Sequence, residues 1–369
     1  MQFMAQEAQT GQPVCSKDTI VQIEIRDTIA TIDRAAWDRL CGASQFCRHD
    51  YMTALEASGL DCQHLYAVAM LHGELIGAAV ATIWRLNLPG RFSLRVTTMG
   101  TPVNTGLALV QVPGAELRYE LVKALELASV KQGVRIFVGR DFPTADYLEQ
   151  VRLDKFYNCA YLALPWGDFE QYLAQLPKRK SVRRDIRALQ KAGYVLEVRE
   201  GKPLSKEEAQ RLYQLWLQLY WKYRSPDQIM VTEAFFLQMS LLKHAVWLLL
   251  RKDGRIDAFD LCFVLGEQLE STYCGVDLAA TGRLSVHRAM GYQIVRYALS
   301  RRLRSINFGI SNEQGKLEMG CHLDPCYAWI TANPRWLSRP LSLFMQRFVL
   351  EPDSRPGQGA TEIPRVGGQ

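Results

Sequence analysis

One order of elements occurs twice in this chain, and that repetition limits the folds open to it. From residue 65 onward a strand pattern, Gly73, a longer strand, a loop, a helical pattern and Gln-Gly-Val-Arg-Ile-Phe-Val-Gly139 follow one another. From residue 246 onward a strand, Gly254, a pair of strands, a loop, a helix and Arg-Leu-Arg-Ser-Ile-Asn-Phe-Gly309 follow in the same order. The closing glycines stand 170 positions apart. A period of that length predicts two copies of one α/β unit of roughly 170 residues, and 369 residues hold two such units plus their ends. The expected layout is a disordered tail over 1–18, a first unit over 19–164, a second over 165–350 and a disordered tail over 351–369. Within each unit, strands are bounded by His72-Gly73, Asp253-Gly254 and Gly266-Glu267, which are hairpin signals. Further helices are expected over 145–155 and 333–350, and Ser205 with Glu208 reads as a capping box opening the helix 205–223.

Charge divides the two units. Residues 1–160 carry 15 basic and 17 acidic side chains, a net −2, whereas 161–369 carry 29 and 21, a net +8. Lys178–Gly193 alone holds seven cations and one acid, Asp185, and its +6 equals the formal charge of the whole chain. Such placement points to an anionic ligand at one segment rather than to a diffusely basic surface. No run approaches the ~18 apolar residues of a membrane helix. The Gln-rich start lacks the basic and apolar regions of a secretory signal. Nine scattered cysteines with no CxxC pair fit free thiols in a reducing, cytoplasmic setting.

Three segments carry candidate chemistry. Gly275-Val-Asp277 ends a strand and leads to His287-Arg288-Ala289-Met290-Gly291-Tyr292-Gln293 at a helix start, where free N–H groups and the helix dipole favour phosphate. An ordinary helix start is the plainer reading. Lys180 and Arg184 lie on the cationic face of the helix 178–192 and are candidates for an anionic substrate; a solvated face is the alternative. The third segment runs from Asn307-Phe-Gly309 through Asn312 to Lys316 and Gly320 at a strand end, where Lys316 would orient a carbonyl or phosphate and Asn312 would donate a hydrogen bond. Asp277 and His287 compete as the general base. Tyr220 belongs to an aromatic stripe on the helix 205–223 that reads as core or as a wall for an apolar substrate. Cys321-His322-x3-Cys326 matches no zinc spacing and lacks a fourth ligand, so no metal is expected. A serine hydrolase, a P-loop NTPase and a zincin are excluded by the absence of their motifs.

Lys178-Arg-Lys-Ser181-Val-Arg-Arg184-x-Ile-Arg-x-Leu-x-Lys-x-Gly193, the hairpin at Asp253-Gly254-x-Ile256 and Phe308-Gly309 with Lys316-x-x-x-Gly320 together resemble the FemAB-like and CelD-like (BioF2-like) branch of the GNAT superfamily of N-acyltransferases. The resemblance covers about 165–330 well and the first half more loosely. It implies an α/β (α+β) chain of two tandem GNAT-like domains, each a twisted mixed β-sheet flanked by helices. It also implies an acyltransferase moving an acyl group from acyl-CoA to the amine of a small-molecule or amino-acid-derived acceptor by direct attack, without a metal. Arg288 to Gln293 then fall at the phosphate loop, Gln293 departing from the small residue the pattern expects, and Lys316 at the family lysine. A Fem-type aminoacyltransferase using aminoacyl-tRNA and a non-catalytic anion- or lipid-binding protein are the competing readings.

Overall fold

The computed structural model describes residues 21–42, 48–87, 93–223 and 228–348, the last five by backbone alone. The expected tails lie outside the described residues. The first unit runs β1 (Gln22–Arg26), α1 (Arg34–Cys41), α2 (His49–Glu56), β2 (Gln63–Leu71), β3 (Glu74–Asn87), β4 (Ser93–Met99), β5 (Leu109–Gln111), α3 (Arg118–Lys131), β6 (Ile136–Phe142) and β7 (Asp154–Ala163). The second runs α4 (Phe169–Gln175), α5 (Arg179–Lys191), β8 (Val195–Glu200), α6 (Lys206–Tyr223), α7 (Glu233–Ser240), β9 (Ala245–Lys252), β10 (Arg255–Leu265), β11 (Gln268–Val276), α8 (Leu278–Thr281), α9 (Val286–Ser300), β12 (Ser305–Asn307), α10 (Glu313–Glu318), β13 (His322–Ala332) and α11 (Ser338–Phe348).

The repeat is real at the level of single turns. The β2–β3 and β9–β10 hairpins each turn on two residues with positive φ, His72 and Gly73 at 49° and 82°, Asp253 and Gly254 at 50° and 79°. That pair of values suits a two-residue loop whose twist matches the flanking strands. Gly133 and Gly193, at φ 75° and 83°, stop α3 and α5 as left-handed C-terminal residues do. The capping box forms as expected: Ser205 Oγ accepts from Glu208 N at 3.2 Å and Glu208 Oε2 accepts from Ser205 N at 3.1 Å.

All the strands join one mixed sheet in the order β1-β2-β3-β4-β6-β13-β7-β12-β11-β10-β9-β8, with β5 alongside β3. The order is a palindrome about its centre. β1 to β4 and β6 on one side answer β8 to β11 and β12 on the other, and α3 answers α9. The centre is a strand exchange: β7, last strand of the first unit, pairs with β12 of the second, and β13, from the end of the second, pairs with β6 of the first. β7 and β13 also pair with each other. Each unit therefore holds the other's final strand. One apolar cluster spans both units on one face, joining Trp37, Tyr51 and Tyr66 to Trp216, Phe236 and Trp247. The opposite face carries a cluster under α3 and another under α4, α5 and α9.

Two expected elements differ. The helix over 145–155 is not formed; the chain there makes turns and enters β7, whose ladder partners on both sides outweigh local helical spacing. The terminal helix begins at Ser338 rather than 333, because Ala332 still lies in β13 and its N–H is bonded by Ser338 Oγ at 2.9 Å.

Candidate active site

β11 and β12 run parallel and pair only over Gln268–Glu270 and Ser305–Asn307. Beyond that point β11 continues to Val276 while the chain after Asn307 turns away through Gly309 into α10, so the strands open into a cleft. Backbone N–H and C=O groups of an unpaired strand edge are available to a ligand.

Lys316 is set into this cleft by local sequence. Asn312, at φ 53°, caps α10 by accepting from Gly315 N at 3.3 Å. A side chain at Gly315 would meet the Asn312 amide at 2.7 Å, which accounts for the glycine. One turn on, Lys316 is 8% exposed. Its Nζ donates to Gly309 O at 3.0 Å and Ile310 O at 3.4 Å. An ammonium has three hydrogens, so one remains for a ligand. Burial lowers the lysine pKa to about 8, with the thiols of Cys321, Cys159 and Cys274 and the Glu313 carboxylate acting the other way.

A carboxyl stands at the last paired position before the strands part. Glu270 on β11, Asn307 on β12, Tyr161 on β7 and His322 on β13 are register partners in a row across four strands. Asn307 Oδ1 accepts from Gly309 N at 2.8 Å and Nδ2 donates to Tyr161 OH at 3.4 Å. Glu270 accepts from the Gln268 amide and from Asn307, yet its burial outweighs both and raises its pKa to about 7. Lys316 and Asn307 thus hold Gly309 from its two sides, O and N, and Cys159 feels the charge of both Lys316 and Glu270. A second carboxyl, Asp260 on β10, is opposite Cys274 of β11; burial raises its pKa well above the usual range.

The structure separates the sequence candidates. His287 lies in the first turn of α9 and keeps solvent access; desolvation by surrounding protein, then the Lys316 ammonium, lowers its pKa. Asp277 is occupied. It caps α8 by accepting from Ala280 N at 2.9 Å and pairs with Arg211 at 2.7 Å, and its pKa is lowered by that cap and by Arg211 against the opposing effect of desolvation. A carboxylate so committed is a poor proton acceptor.

Arg288 to Gln293 lie in the first two turns of α9, at the helix start that was expected. Arg288 pairs with Asp185 of α5 and donates to Ser181 Oγ at 3.1 Å, while Ala289, Met290, Tyr292 and Gln293 are buried. Val286 N and Ala289 N are bonded to Leu284 O and Ser285 O, so His287 and Arg288 carry the N–H groups left at this helix start. The glycine of the motif packs on Met319. Two N–H groups therefore remain at the helix start for an anion, while Arg288 is already paired and most of the segment is packed.

Tyr220 is 1% exposed and packs on Trp216 with ring centroids 5.0 Å apart. It is part of the core shared by both units, which corrects its reading as a substrate wall. Asn312 is a cap. Lys180 and Arg184 are exposed on α5; Arg184 lies against Asp185 at 3.3 Å. Lys180, Arg187 and Lys191 are exposed and have no ion-pair partner among the described residues. Asp260, Glu270 and Tyr161 were not anticipated, and Asn307 was named only as the start of its segment. One signal existed for the first: a single acid inside Ala-Phe-Asp260-Leu-Cys-Phe-Val-Leu, which a buried strand tolerates only for a reason.

A family model, FemAB-like, described as peptidoglycan biosynthesis/recognition, matches residues 118–348, more than half of the chain. No curated protein matches the chain. Among solved structures, L-PGS from Bacillus licheniformis is similar with a TM-score of 0.53 at 12% identity, over 80% of this chain and 94% of that one. FemX is similar with a TM-score of 0.51 at 12% identity, over 88% and 100%. A tandem GNAT protein from the clavulanic acid biosynthesis pathway gives 0.50 at 14% identity, over 83% and 98%. At these identities the likeness is one of fold: two tandem GNAT-like units.

Proposed function

We propose, from the premise that the chain belongs to the FemAB-like family, that it is an N-acyltransferase joining an activated acyl group to an amine in the cleft between β11 and β12, with an aminoacyl ester of tRNA as donor. The observation that carries the reading is Lys316: a buried ammonium beside an open strand edge, with two hydrogens fixed on backbone carbonyls and a third unused.

The chemistry follows from the groups present. The acceptor amine attacks the acyl carbonyl, and the third Lys316 hydrogen stabilises the oxygen that gains negative charge. Glu270, ionised above about pH 7, takes the proton that the attacking nitrogen must lose. The ester carbon–oxygen bond then breaks, the amide remains, and the departing ribose oxygen takes up a proton. Holding both reactants in one cleft supplies the rest of the rate.

Two features favour tRNA over acyl-CoA. The segment that would cradle a pyrophosphate opens α9 with only the His287 and Arg288 N–H groups free, and its arginine is already paired with Asp185. Lys180, Arg187 and Lys191, by contrast, form a cationic stripe on α5 without ion-pair partners among the described residues; the 11 steps from Lys180 to Lys191 rise roughly 16 Å at about 1.5 Å each, which suits a run of backbone phosphates. The family description supports a peptidoglycan-precursor amine as acceptor.

Incubating the purified chain with charged tRNA and an amine-bearing peptide, with and without ribonuclease, tests this; the expected amide appears only without ribonuclease. Thiol release from acetyl- or longer acyl-CoA, independent of tRNA, would replace the donor. Consumption of neither, with binding to anionic liposomes, would replace the acyltransferase reading with a binding protein.

A further inference from the structure

From Ala258 to Leu265, β10 is apolar on both faces except at one position. Phe259, Leu261 and Phe263 enter the core shared by the two units, while Ala258 and Cys262 enter the cluster beneath α9. Asp260, between them in the alternation, points into that second layer. It is 7% exposed. A buried carboxyl normally collects donors, and Asp257, three residues earlier on the same strand, takes Arg211, Arg255 and Tyr194. No described residue donates a hydrogen bond to Asp260. Its oxygens are also not among the sealed, unpartnered polar atoms of the described structure, so they open on space that solvent reaches.

A second group behaves the same way. Gln293 falls on the stripe Val286, Met290, Gln293 and Tyr297 that α9 turns toward the sheet, and the three neighbours belong to the cluster holding Ala258 and Cys262. Gln293 is 9% exposed, has no hydrogen-bond partner among the described residues and is likewise not sealed. A carboxyl and an amide thus project from opposite walls of one layer with their polar ends unused. A ligand that meets both with charge-assisted hydrogen bonds gains more than the water it displaces.

We propose that Asp260 and Gln293 form the receptor for a side-chain ammonium on the transferred acyl group, so that the donor carries a basic aminoacyl residue; this rests on the acyl-transfer reading above. The position fits the distal amine rather than the α-amine. Cys274 is the register partner of Asp260 one strand away, about 4.8 Å, and Cys274 also feels the Lys316 ammonium. The receptor therefore lies beyond Cys274 from the reacting carbonyl, further than the two bonds that separate an α-amino nitrogen from it. The amide oxygen of Gln293 accepts a second ammonium hydrogen, and the apolar layer between holds the methylene stem. A neutral side chain of the same length would leave the carboxyl unmet, which is the kind of penalty that separates closely similar substrates.

The test measures binding without turnover. Calorimetry with L-lysinamide and L-norleucinamide on the full chain is expected to show lysinamide bound at least tenfold more tightly. In Asp260→Asn, which keeps the side-chain shape, that ratio is expected to fall to about one, and in Gln293→Leu it is expected to fall several-fold, with thermal unfolding showing both variants folded. Equal affinities in the wild-type chain, or an unchanged ratio in Asp260→Asn, would overturn the receptor. Acyl transfer by a chain that shows no lysinamide preference would defeat this inference alone. Lysinamide preference in a chain that transfers nothing would keep the receptor and defeat the reading on which its role rests.

Discussion

The opening between β4 and β6 in the first unit and the opening between β11 and β12 in the second are built by the same run of elements and filled differently. β4 and β6 pair only through Thr97 and Thr98 with Phe137 and Val138. Past that point Arg140 turns its guanidinium into the gap and donates to Met99 O at 3.1 Å, Thr101 O at 2.6 Å and Asn104 O at 2.8 Å. Asp141, at φ 67°, accepts from Gly106 N at 2.9 Å and from Tyr157 OH. The first opening is stitched shut with its own backbone. In the second, Lys316 spends two of three hydrogens, Glu270 is held neutral-leaning by burial, and Asp260 has no donor among the described residues. A duplicated fold has used its charged groups for closure in one copy and left them unsatisfied in the other, and unsatisfied buried polar groups are where a ligand gains most.

The largest expected effect sets these lysine and arginine side chains against each other. Lys316→Ala is expected to lower acyl transfer about 10²–10³-fold, the scale of losing one oxyanion donor, with a smaller relative change in unfolding free energy. Arg140→Ala is expected to do the reverse. Three carbonyls lose their donor and Asp141 loses its counter-charge, a loss of about 2–4 kcal/mol in urea unfolding, while transfer by the folded variant changes less than about threefold. Transfer abolished in a stable Arg140→Ala chain would show that the first opening also handles substrate.

The next effect is one of protonation. Burial raises the Glu270 pKa to about 7 and lowers that of Lys316 to about 8. The base must be ionised and the ammonium must keep its proton, so the rate rises as pH passes 7 and falls as it passes 8, a narrow bell. Glu270→Gln is expected to cost about 10²-fold and to remove the acid limb. Lys316→Arg, always charged, is expected to remove the alkaline limb. A profile whose limbs survive both substitutions would assign the titration to other groups, His287 first among them.

The duplication was legible because each copy repeats turn residues with a fixed φ requirement: His72-Gly73 and Asp253-Gly254 mark the same hairpin, and Gly139 and Gly309 close the same strand region. The exchange of β7 and β13 was not. Strand partners are set by which edges meet in three dimensions, and no local signal tells Asp154–Ala163 to pair with Ser305–Asn307 rather than with its own β6. Lys316 was readable from its place after a strand and a glycine turn. Its carboxyl neighbour was not: Glu270 meets Asn307 only once β11 and β12 pair in that register, and Tyr161 joins the row only through the exchange. Arg288 to Gln293 were placed at a helix start, and α9 does begin there, at Val286; the spacing did not show that Arg288 would be paired with Asp185 or that Ala289, Met290, Tyr292 and Gln293 would be buried.

The smallest effect concerns that segment. A glycine kept for a phosphate cannot gain a methyl group without loss of donor affinity. Gly291 instead sits within α9, where an added Cβ would meet the end of the Met319 side chain, Cε at 3.3 Å and Sδ at 3.5 Å. Methionine has three rotatable bonds and yields by a few tenths of an ångström, and alanine is favoured over glycine in a helix by up to about 1 kcal/mol. Gly291→Ala is therefore expected to shift unfolding free energy by less than about 1 kcal/mol and to leave donor affinity unchanged, as read by urea titration and by binding of charged tRNA. Gly275 is the internal contrast. A Cβ there would stand 2.4 Å from Phe259 Cε1 and 2.7 Å from Trp216 N, contacts that packed backbone cannot relieve, so Gly275→Ala is expected to destabilise the chain clearly. A tenfold loss of donor affinity in a stable Gly291→Ala chain would return the phosphate to α9 and remove one of the two reasons for preferring tRNA.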